Sequence, residues 1–251
     1  MDNAELLRKR FTELANRAYN SGIYTFTNFL GLSDFSVFES AKQSFRHVPY
    51  TVFGGAEGTE RIMVRFGDEN EIGYEAPFPI VCIKAEPVSQ KFADKLTHRD
   101  FLGAILNLGI ERSSIGDIPI INNTAYIFAK EDIADFIISS LFRVKHTEIS
   151  LSVVSEIPKG ELFKTERRTV QLQSERIDAL IAKLFSLSRE AAQNLIKREL
   201  VFVSGKLCTS TSYAPKAEDI ISVRGYGRLI YRSYSSTTRK GKFNVEVDVY
   251  V

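Results

Sequence analysis

Residues 77–155 alternate between stretches with the apolar pattern of a strand and stretches with that of a helix. FPIVCIKAEP is a continuous apolar strand, and THRDFLGAILNLGI repeats apolar residues at helical spacing. GDIPIINN and TAYIFAK predict two strands that meet at Asn122-Asn123, a dipeptide that tolerates the positive φ of a hairpin turn. EDIADFIISSLF predicts a second helix, and EISLSVVS a last strand. This β-α-β-β-α-β order predicts a ferredoxin-like domain over residues 76–160, an antiparallel sheet with both helices on one face.

The N-terminal residues 1–75 predict helices followed by a hairpin. Apolar residues at three- and four-residue spacings indicate a helix that ends near Gly22, and residues 33–45 indicate a shorter one. Residues 50–67, YTVFGGAEGTERIMVRFG, have two strand-like runs around a glycine-rich turn. That turn lacks the Gly-Lys-Ser/Thr sequence of a P-loop, so a hairpin turn is the preferred interpretation.

The C-terminal residues 165–251 predict two helices and then a small sheet. The helices are expected over 175–185 and 189–199, with Ser174 and Ser188 as their caps. The polar segment EIPKGELFKTERRTVQL predicts a connection into a strand before these helices. Further strands are expected near 201–203, 218–224, 228–235 and 243–250. The predicted fold class is therefore α+β, with three domains.

The composition indicates a globular chain and argues against several classes of protein. Hydrophobic residues make up 44% and charged residues 25% of the chain, which is ordinary for a globular protein. No apolar run reaches the roughly 18 residues of a membrane span, and the N-terminus lacks the apolar core of a secretory signal. The two cysteines and three histidines share no ligand spacing. We therefore expect no disulfide framework, metal, cofactor or membrane association, and a reducing cytoplasm as the setting.

Positive charge is concentrated towards the C-terminus. Residues 165–251 hold 15 Lys and Arg against 9 Asp and Glu, whereas residues 1–164 hold 18 against 22. A polar loop with Arg239, Lys240 and Lys242 extends the positive field. This asymmetry points to a nucleic acid or another anionic partner.

One helix carries polar and basic residues along a single side. Arg189, Gln193 and Lys197 are four residues apart and form a ridge about 12 Å long, enough to follow two or three phosphates. Arg189 stands in the first helical turn, where it opposes the helix dipole, so helix stability alone does not explain it. The alternative interpretation is a solvated face without a partner. Arg224 and Arg228 flank the sequence GYG, where missing side chains would let a ligand approach the backbone.

The segment SERIDALIAKLFSLSREAAQNLIKRELVFVSGKLCTSTSYAPKAEDIISVRGYGRL, roughly residues 174–230, closely resembles the S4 RNA-binding domain. In that family an Arg opens the first helix, Ser-Arg opens the second, and V.V.GK follows. Glu218-Asp219 stands here where Gly-Asp is usual. The resemblance favours the RNA interpretation of the ridge and implies RNA contacts at Arg176, Ser188, Arg189, Gln193, Lys197, Arg198 and Lys206. Arg224 and Arg228 complete the predicted site.

Three further motifs, VFGGAEGTERIMVRF, LTHRDFLGAILNLGIERSSIGDI and VRGYGRLIY, resemble the YlmH family of bacterial proteins. Ala56 stands where members usually have a tyrosine. The resemblance implies a ribosome-associated, non-enzymatic RNA-binding factor without catalytic residues or a small-molecule substrate. The implied partner is rRNA of the large ribosomal subunit, with peptidyl-tRNA as an open addition, in the rescue or quality control of stalled translation.

Two other functions stand as alternatives. S4 modules are often appended to RNA-modifying enzymes such as pseudouridine synthases, but residues 1–164 look too short and too divided for such a catalytic domain. The other alternative is an interaction scaffold in cell division. The sequence HRD at 98–100 imitates a kinase catalytic loop, but the other kinase motifs are missing and a helix N-terminus fits better.

Four residues outside the ridge are further candidates for RNA contact. Arg61 and Arg65 in the predicted hairpin are a less favoured possibility for RNA contact. Tyr226 and Tyr231, beside the basic strands, are candidates for stacking on RNA bases.

Overall fold

The computed structural model describes residues 3–158, 162–237 and 243–251, with the backbone alone for 235–237. The chain forms two compact units, Met1–Phe163 and Lys164–Val251. Both units contain helices and antiparallel sheets, so the predicted α+β class is confirmed. The further boundary near residue 75 stays a prediction.

The first unit begins with helices and a three-stranded sheet. The elements are α1 (Asn3–Ser21), β1 (Thr25–Phe26), α2 (Leu32–Ala41), β2 (Tyr50–Phe53), β3 (Met63–Phe66) and the short α3 (Glu69–Ile72). β3 pairs antiparallel with β1 on one side and with β2 on the other, which confirms the predicted hairpin. Buried aromatic side chains from α1, α2 and β3, among them Phe11, Phe38 and Phe66, form the core between the helices and this sheet.

The first unit continues with a second, five-stranded sheet. Its elements are β4 (Ile80–Pro87), α4 (His98–Leu106), β5 (Ile120–Ile121), β6 (Thr124–Lys130), α5 (Ala134–Ser140), β7 (Arg143–Val144) and β8 (Thr147–Val154). The strand order is β5-β6-β4-β8-β7 and every pairing is antiparallel. This arrangement confirms the ferredoxin-like prediction, with β7 added at one edge. Asn122 and Asn123, which join β5 to β6, both have positive φ as the turn requires.

Both faces of the five-stranded sheet are covered, which explains the continuous apolar run of β4. Ile83 and Ile127 are paired neighbours on one face, in a core that includes residues of α4 and α5. Cys82 and Phe128 are paired neighbours on the opposite face and pack against Met63 of β3. A strand buried on both faces has no polar alternation, because neither side chain direction leads to water.

The HRD sequence lies at the N-terminus of α4, as expected. The helix begins at His98, and the Asp100 carboxylate accepts a hydrogen bond from the Thr97 backbone N–H at 2.8 Å. A side chain that returns to the preceding backbone N–H is a capping interaction, and it assigns these residues to the start of a helix.

The second unit combines two helices with a six-stranded antiparallel sheet. Its elements are β9 (Thr165–Leu172), α6 (Ile177–Leu184), α7 (Arg189–Lys197), β10 (Val201–Val203), β11 (Lys206–Leu207), β12 (Ile220–Val223), β13 (Gly227–Thr237) and β14 (Phe243–Tyr250). The strand order is β11-β10-β12-β13-β14-β9. Apolar residues of both helices, such as Ile181 and Ile196, pack on one face of this sheet in a single core. The predicted helix pair and its sheet are confirmed.

Among the residues that the structure describes, no helix is both long and apolar enough to cross a bilayer. Cys82 and Cys208 are buried free thiols, and burial raises the pKa of Cys82 to about 12. In the same described residues, no group of three or more His, Cys, Asp or Glu is placed to hold a metal ion.

Candidate nucleic-acid interface

The N-termini of α6 and α7 meet at the carboxylate of Asp178, which has no solvent exposure. Arg176 donates from Nε to Oδ1 at 3.1 Å and from Nη2 to Oδ2 at 2.9 Å. Arg189 donates from Nε to Oδ2 and from Nη2 to Oδ1, both at 3.3 Å. Gln193 adds a bond from Nε2 to Oδ2 at 2.7 Å. We call these four residues the Asp178 cluster.

The surroundings of Asp178 keep its carboxyl group ionised. Burial acts to raise the pKa, but hydrogen bonds from Arg176, Gln193 and Arg189 outweigh it, and the pKa lies below the usual value. Asp178 also stands in the first turn of α6, where the helix dipole favours a negative charge. Two guanidinium groups around one carboxylate leave the cluster with one net positive charge.

Both arginines of the Asp178 cluster remain accessible from one side. The side chain of Arg176 is 38% exposed and that of Arg189 is 46% exposed. Each arginine uses Nε and Nη2 towards Asp178, and in the described part of the chain neither Nη1 donates to an acceptor. Arginine presents donors in a rigid planar fork, so the remaining N–H groups have a fixed direction.

The structure corrects the predicted cap of α6 and explains the position of Arg189 at the start of α7. Ser174 does not cap α6, because the helix begins at Ile177 with Arg176 at the cap position; the Ser174 hydroxyl instead accepts from Arg189 Nη2 at 3.4 Å. Ser188 does cap α7, since its hydroxyl accepts from the Ala191 backbone N–H at 3.0 Å. Arg189 opposes the dipole of its own helix, but it gains the buried Asp178 of the neighbouring one.

The far end of α7 carries two exposed cations. Lys197 is the last residue of the helix, and Arg198 follows it at the cap position. Neither side chain has a hydrogen-bonding or ionic partner among the described residues. Lys206 is also exposed and lies beside Val203, a core residue beneath the helices, on the same face of the sheet. Lys206 is therefore on the helix side of the sheet, as are α6 and α7.

Arg228, in contrast, lies on the other face of the sheet. Ile221 and Val223 point into the core beneath the helices, so Ser222 between them faces the opposite way. Arg228 is the cross-strand partner of Ser222 and shares its face. Its guanidinium carbon lies 3.7 Å from the ring centroid of Tyr250, a cation–π contact.

Arg224 lies on that second face as well. Phe202 alternates with the core residues Val201 and Val203, so its ring points away from the helices. The guanidinium carbon of Arg224 is 5.1 Å from the centroid of this ring. The nine predicted RNA-binding residues are therefore distributed over two faces, seven on the helix side and two on the opposite side.

The glycines between these two arginines are explained by backbone geometry. Gly225 has φ +84° and Gly227 has φ +142°, conformations that residues with a Cβ rarely adopt. The Tyr226 N–H donates to the Val223 carbonyl at 3.0 Å and closes the turn between β12 and β13. The turn alone thus requires both glycines.

The two tyrosine candidates have different surroundings. Tyr226 is exposed, and its ring centroid lies 5.8 Å from that of Phe185. Tyr231 is only 5% exposed and belongs to the core beneath the helices, so the prediction that it stacks on bases is wrong. Strand alternation carries Tyr231 inwards together with Leu229.

The arginines of the N-terminal hairpin are engaged within their own unit. Arg61 donates from Nε to the Ile115 carbonyl and from Nη2 to the Phe29 carbonyl, both at 3.0 Å. Arg65 is buried, lies against the ring of Tyr24 and forms an ion pair with Glu75. These contacts give both arginines a structural role, and RNA contact by either of them stays a prediction. Arg239, Lys240 and Lys242 lie outside the described residues.

Asp178 is the functional candidate that the sequence analysis missed. It stands two residues after Arg176 in the motif SERIDAL. An acidic residue in a first helical turn is ordinarily explained by the helix dipole. The signal available in the sequence was the coincidence of this acid with an Arg before it and an otherwise unfavourable Arg at the start of the next helix.

Comparisons with known proteins agree with this geometry. Residues 77–157 match the family model described as the putative RNA-binding domain in YlmH, and residues 175–221 match the S4 domain. In these two segments the chain is similar to the YlmH family of S4-domain proteins. The seven predicted residues on the helix side all lie within the S4 match, whereas Arg224 and Arg228 follow it.

Two proteins that are similar to this chain carry names of their own. The ribosome-associated protein quality control protein P2 of Bacillus subtilis (strain 168) is 31% identical over 162 residues, which cover 62% of each chain. The matched segment is thus less than two thirds of the length of that relative. A solved structure of the cell division protein ylmH from Streptococcus pneumoniae has 20% identity and a TM-score of 0.49, covering 61% of this chain and 92% of that one.

Proposed function

We propose that the protein is a non-enzymatic RNA-binding factor that docks the helix side of its S4 domain on rRNA of the large ribosomal subunit. The observation that carries the proposal is the set of basic side chains on the helix side, Arg176, Arg189, Lys197, Arg198 and Lys206, within the residues that match the S4 domain. The name of the Bacillus subtilis relative supports a role in ribosome-associated protein quality control. We place this role in the cytoplasm, on ribosomes stalled in translation. Peptidyl-tRNA on the same subunit is the second RNA that we propose as a partner.

Phosphate contacts supply most of the affinity in this proposal. Each Lys or Arg that neutralises a phosphate releases counterions, so affinity falls by about 0.7–0.9 log units per contact for each tenfold rise in salt. Selectivity for structured RNA comes from shape and 2′-hydroxyl groups, because side chains do not fit the deep, narrow major groove of an A-form helix. The helix side carries the Asp178 cluster at one end and the long cations Lys197 and Arg198 at the other. This arrangement can follow the phosphate backbone of a structured RNA.

Co-sedimentation with separated ribosomal subunits over a series of salt concentrations tests the proposal. The informative variant is Lys197→Glu combined with Arg198→Glu, because both side chains are exposed and changing them leaves the buried Asp178 undisturbed. Arg189→Glu is unsuitable, since it would set a second carboxylate against Asp178. We expect wild-type protein to pellet with the large subunit, and the variant to lose this binding at about 0.15 M salt, with a slope shallower by roughly 1.5.

The matched control is Lys183→Glu combined with Lys216→Glu. It changes the net charge of the same unit equally, at exposed positions outside the predicted site. We expect it to retain most of the binding. Equal loss in both variants would mean that only the total charge matters, and wild-type protein that fails to bind the large subunit would contradict the proposal.

The non-enzymatic part of the proposal has its own test. RNA from the bound complex is incubated with the protein and analysed for isomerised uridine by mass spectrometry after chemical derivatisation. We expect the uridine content to remain unchanged. Turnover above that of a protein-free sample would favour the RNA-modifying alternative.

A further inference from the structure

The carboxylate of Asp178 reduces the positive charge of the surface that is proposed to bind RNA. It is fully buried and accepts five hydrogen bonds from Arg176, Arg189 and Gln193. Burial of an ion is costly unless its partners are well placed, and an apolar side chain is often the more stable choice at such a position. Long-range attraction of RNA therefore does not account for an acid here.

The contacts of Asp178 explain why an acid stands at this position, because they fix the orientation of two arginines. Each arginine uses two nitrogens of its fork, Nε and Nη2, on the two carboxylate oxygens, which fixes the plane of each guanidinium. The Nη1 groups, which donate to no acceptor in the described part of the chain, are then held in fixed directions relative to the carboxylate. Lys197 and Arg198, without partners among the described residues, have to lose rotamer freedom when they bind a phosphate.

We propose that Asp178 is a positioning residue for RNA recognition, which holds Arg176, Arg189 and Gln193 in one preformed array of donors for the RNA backbone. This inference rests on the RNA-binding function proposed above. Asp178 itself touches no RNA, because its carboxylate lies beneath the three side chains that it orients.

Asp178→Asn tests the proposal through the sign of the effect. The substitution removes a negative charge from the RNA-binding unit, so electrostatics alone would tighten RNA binding and steepen its salt dependence. If Asp178 positions the arginines, its loss should instead weaken RNA binding and make the salt dependence shallower. We expect the Kd for the large subunit, or for the rRNA fragment that the bound protein protects, to rise about tenfold. The slope of log affinity against log salt should become shallower by about 0.7–0.9, the contribution of one phosphate contact.

Glu190→Gln is the matched control. Glu190 is exposed in the first turn of α7, next to Arg189, and its substitution removes the same charge without touching the cluster. We expect its Kd to be equal to or below that of the wild type. A folded Asp178→Asn protein with a Kd unchanged or lowered, as in the control, would overturn the proposal.

Arg189→Lys decides the matter if Asp178→Asn does not fold. Lysine keeps the charge but has no planar fork, so it cannot hold both carboxylate oxygens. Thermal unfolding first establishes that the variant is folded. We expect its Kd to rise about fivefold, whereas Arg168→Lys, an equivalent exchange at an exposed strand position outside the site, leaves the Kd unchanged. An unchanged Kd in Arg189→Lys would count against positioning.

An RNA-free measurement separates this proposal from the proposed function. In ¹⁵N-labelled protein, the arginine Nε–H signals report on hydrogen bonding of each side chain. We expect slow solvent exchange for Arg176 and Arg189, and fast exchange of both in Asp178→Asn but not in Glu190→Gln. If wild-type protein shows this protection yet binds no RNA, the proposed function has failed, and Asp178 orients the two arginines without serving RNA recognition. Exchange as fast as that of Arg198 in the wild type would overturn the positioning itself.

Discussion

At the scale of single residues, Arg189 is unfavourable for its own helix but has a favourable partner in the neighbouring one. The sequence marks Arg189 as unfavourable for its own helix, which indicates that its position has another cause. The structure adds the buried Asp178 of the neighbouring helix as an immediate partner. The periodicity of the two helices does not predict that pairing, because it depends on how the starts of α6 and α7 approach each other.

A second acid at a helix start yields a prediction about pH. Asp100 accepts hydrogen bonds from Lys145 Nζ at 2.8 Å and from the Thr97 hydroxyl at 2.7 Å, in addition to the backbone N–H. These contacts, that of Lys145 foremost, lower the pKa of Asp100 to about 2. Since the folded pKa lies below the unfolded value of roughly 3.9, the ionised carboxylate adds stability above about pH 4, and this contribution is lost as the pH falls towards 2.

Asp100→Asn should therefore lower the stability of the first unit at pH 7 and make no difference near pH 2. Urea unfolding between pH 2 and 7, followed by circular dichroism, measures the gap between the two proteins. Asp135→Asn, at an exposed acid in the first turn of α5, is the control and should produce a smaller gap. A constant gap between wild type and Asp100→Asn across this pH range would show that ionisation of Asp100 is irrelevant.

At the scale of elements, the strand order was predictable and the exact ends were not. Apolar periodicity gave the β-α-β-β-α-β order, because each element must bury one face or both. The two C-terminal helices are shorter than the predicted 175–185 and 189–199, ending at Leu184 and Lys197. Boundaries depend on local caps and turns, whose signals are weak. The short β7 escaped prediction because two residues carry no period.

The glycine-rich turn after β2 allows a prediction with an internal control. A Cβ on Gly54 would lie 2.3 Å from the Arg61 carbonyl oxygen, whereas a Cβ on Gly103 in α4 would meet no atom within 4 Å. We expect Gly54→Ala to destabilise the first unit by about 1–3 kcal/mol through overpacking. Gly103→Ala should stabilise it by about 0.5–1 kcal/mol, because alanine is the better helix former. Urea midpoints measure both, and a neutral Gly54→Ala would contradict the close approach of the turn.

At the scale of the whole molecule, the second unit extends well beyond the S4 match at residues 175–221. β9 lies before that segment and β14 after it, yet the two strands pair along eight residues. The Asp248 side chain in β14 accepts from Arg167 in β9 and from Arg232 in β13, which ties the three strands together. A strand was expected in the segment of β9, but its partner lies about 80 residues away in the sequence, and local patterns do not identify such a partner.

Two fragments test whether β9 belongs to the folding unit. A fragment of residues 164–251 contains all six strands, whereas one of 174–251 lacks β9 and the buried Leu172. Loss of a buried leucine alone costs about 2–5 kcal/mol, and each kcal/mol lowers the Tm of a domain of this size by about 4–8 °C. We expect the longer fragment to unfold cooperatively and the shorter one to melt at least 10 °C lower, as measured by calorimetry. Equal melting temperatures would mean that β9 adds nothing to the stability of the sheet and that β14 can serve as its edge strand.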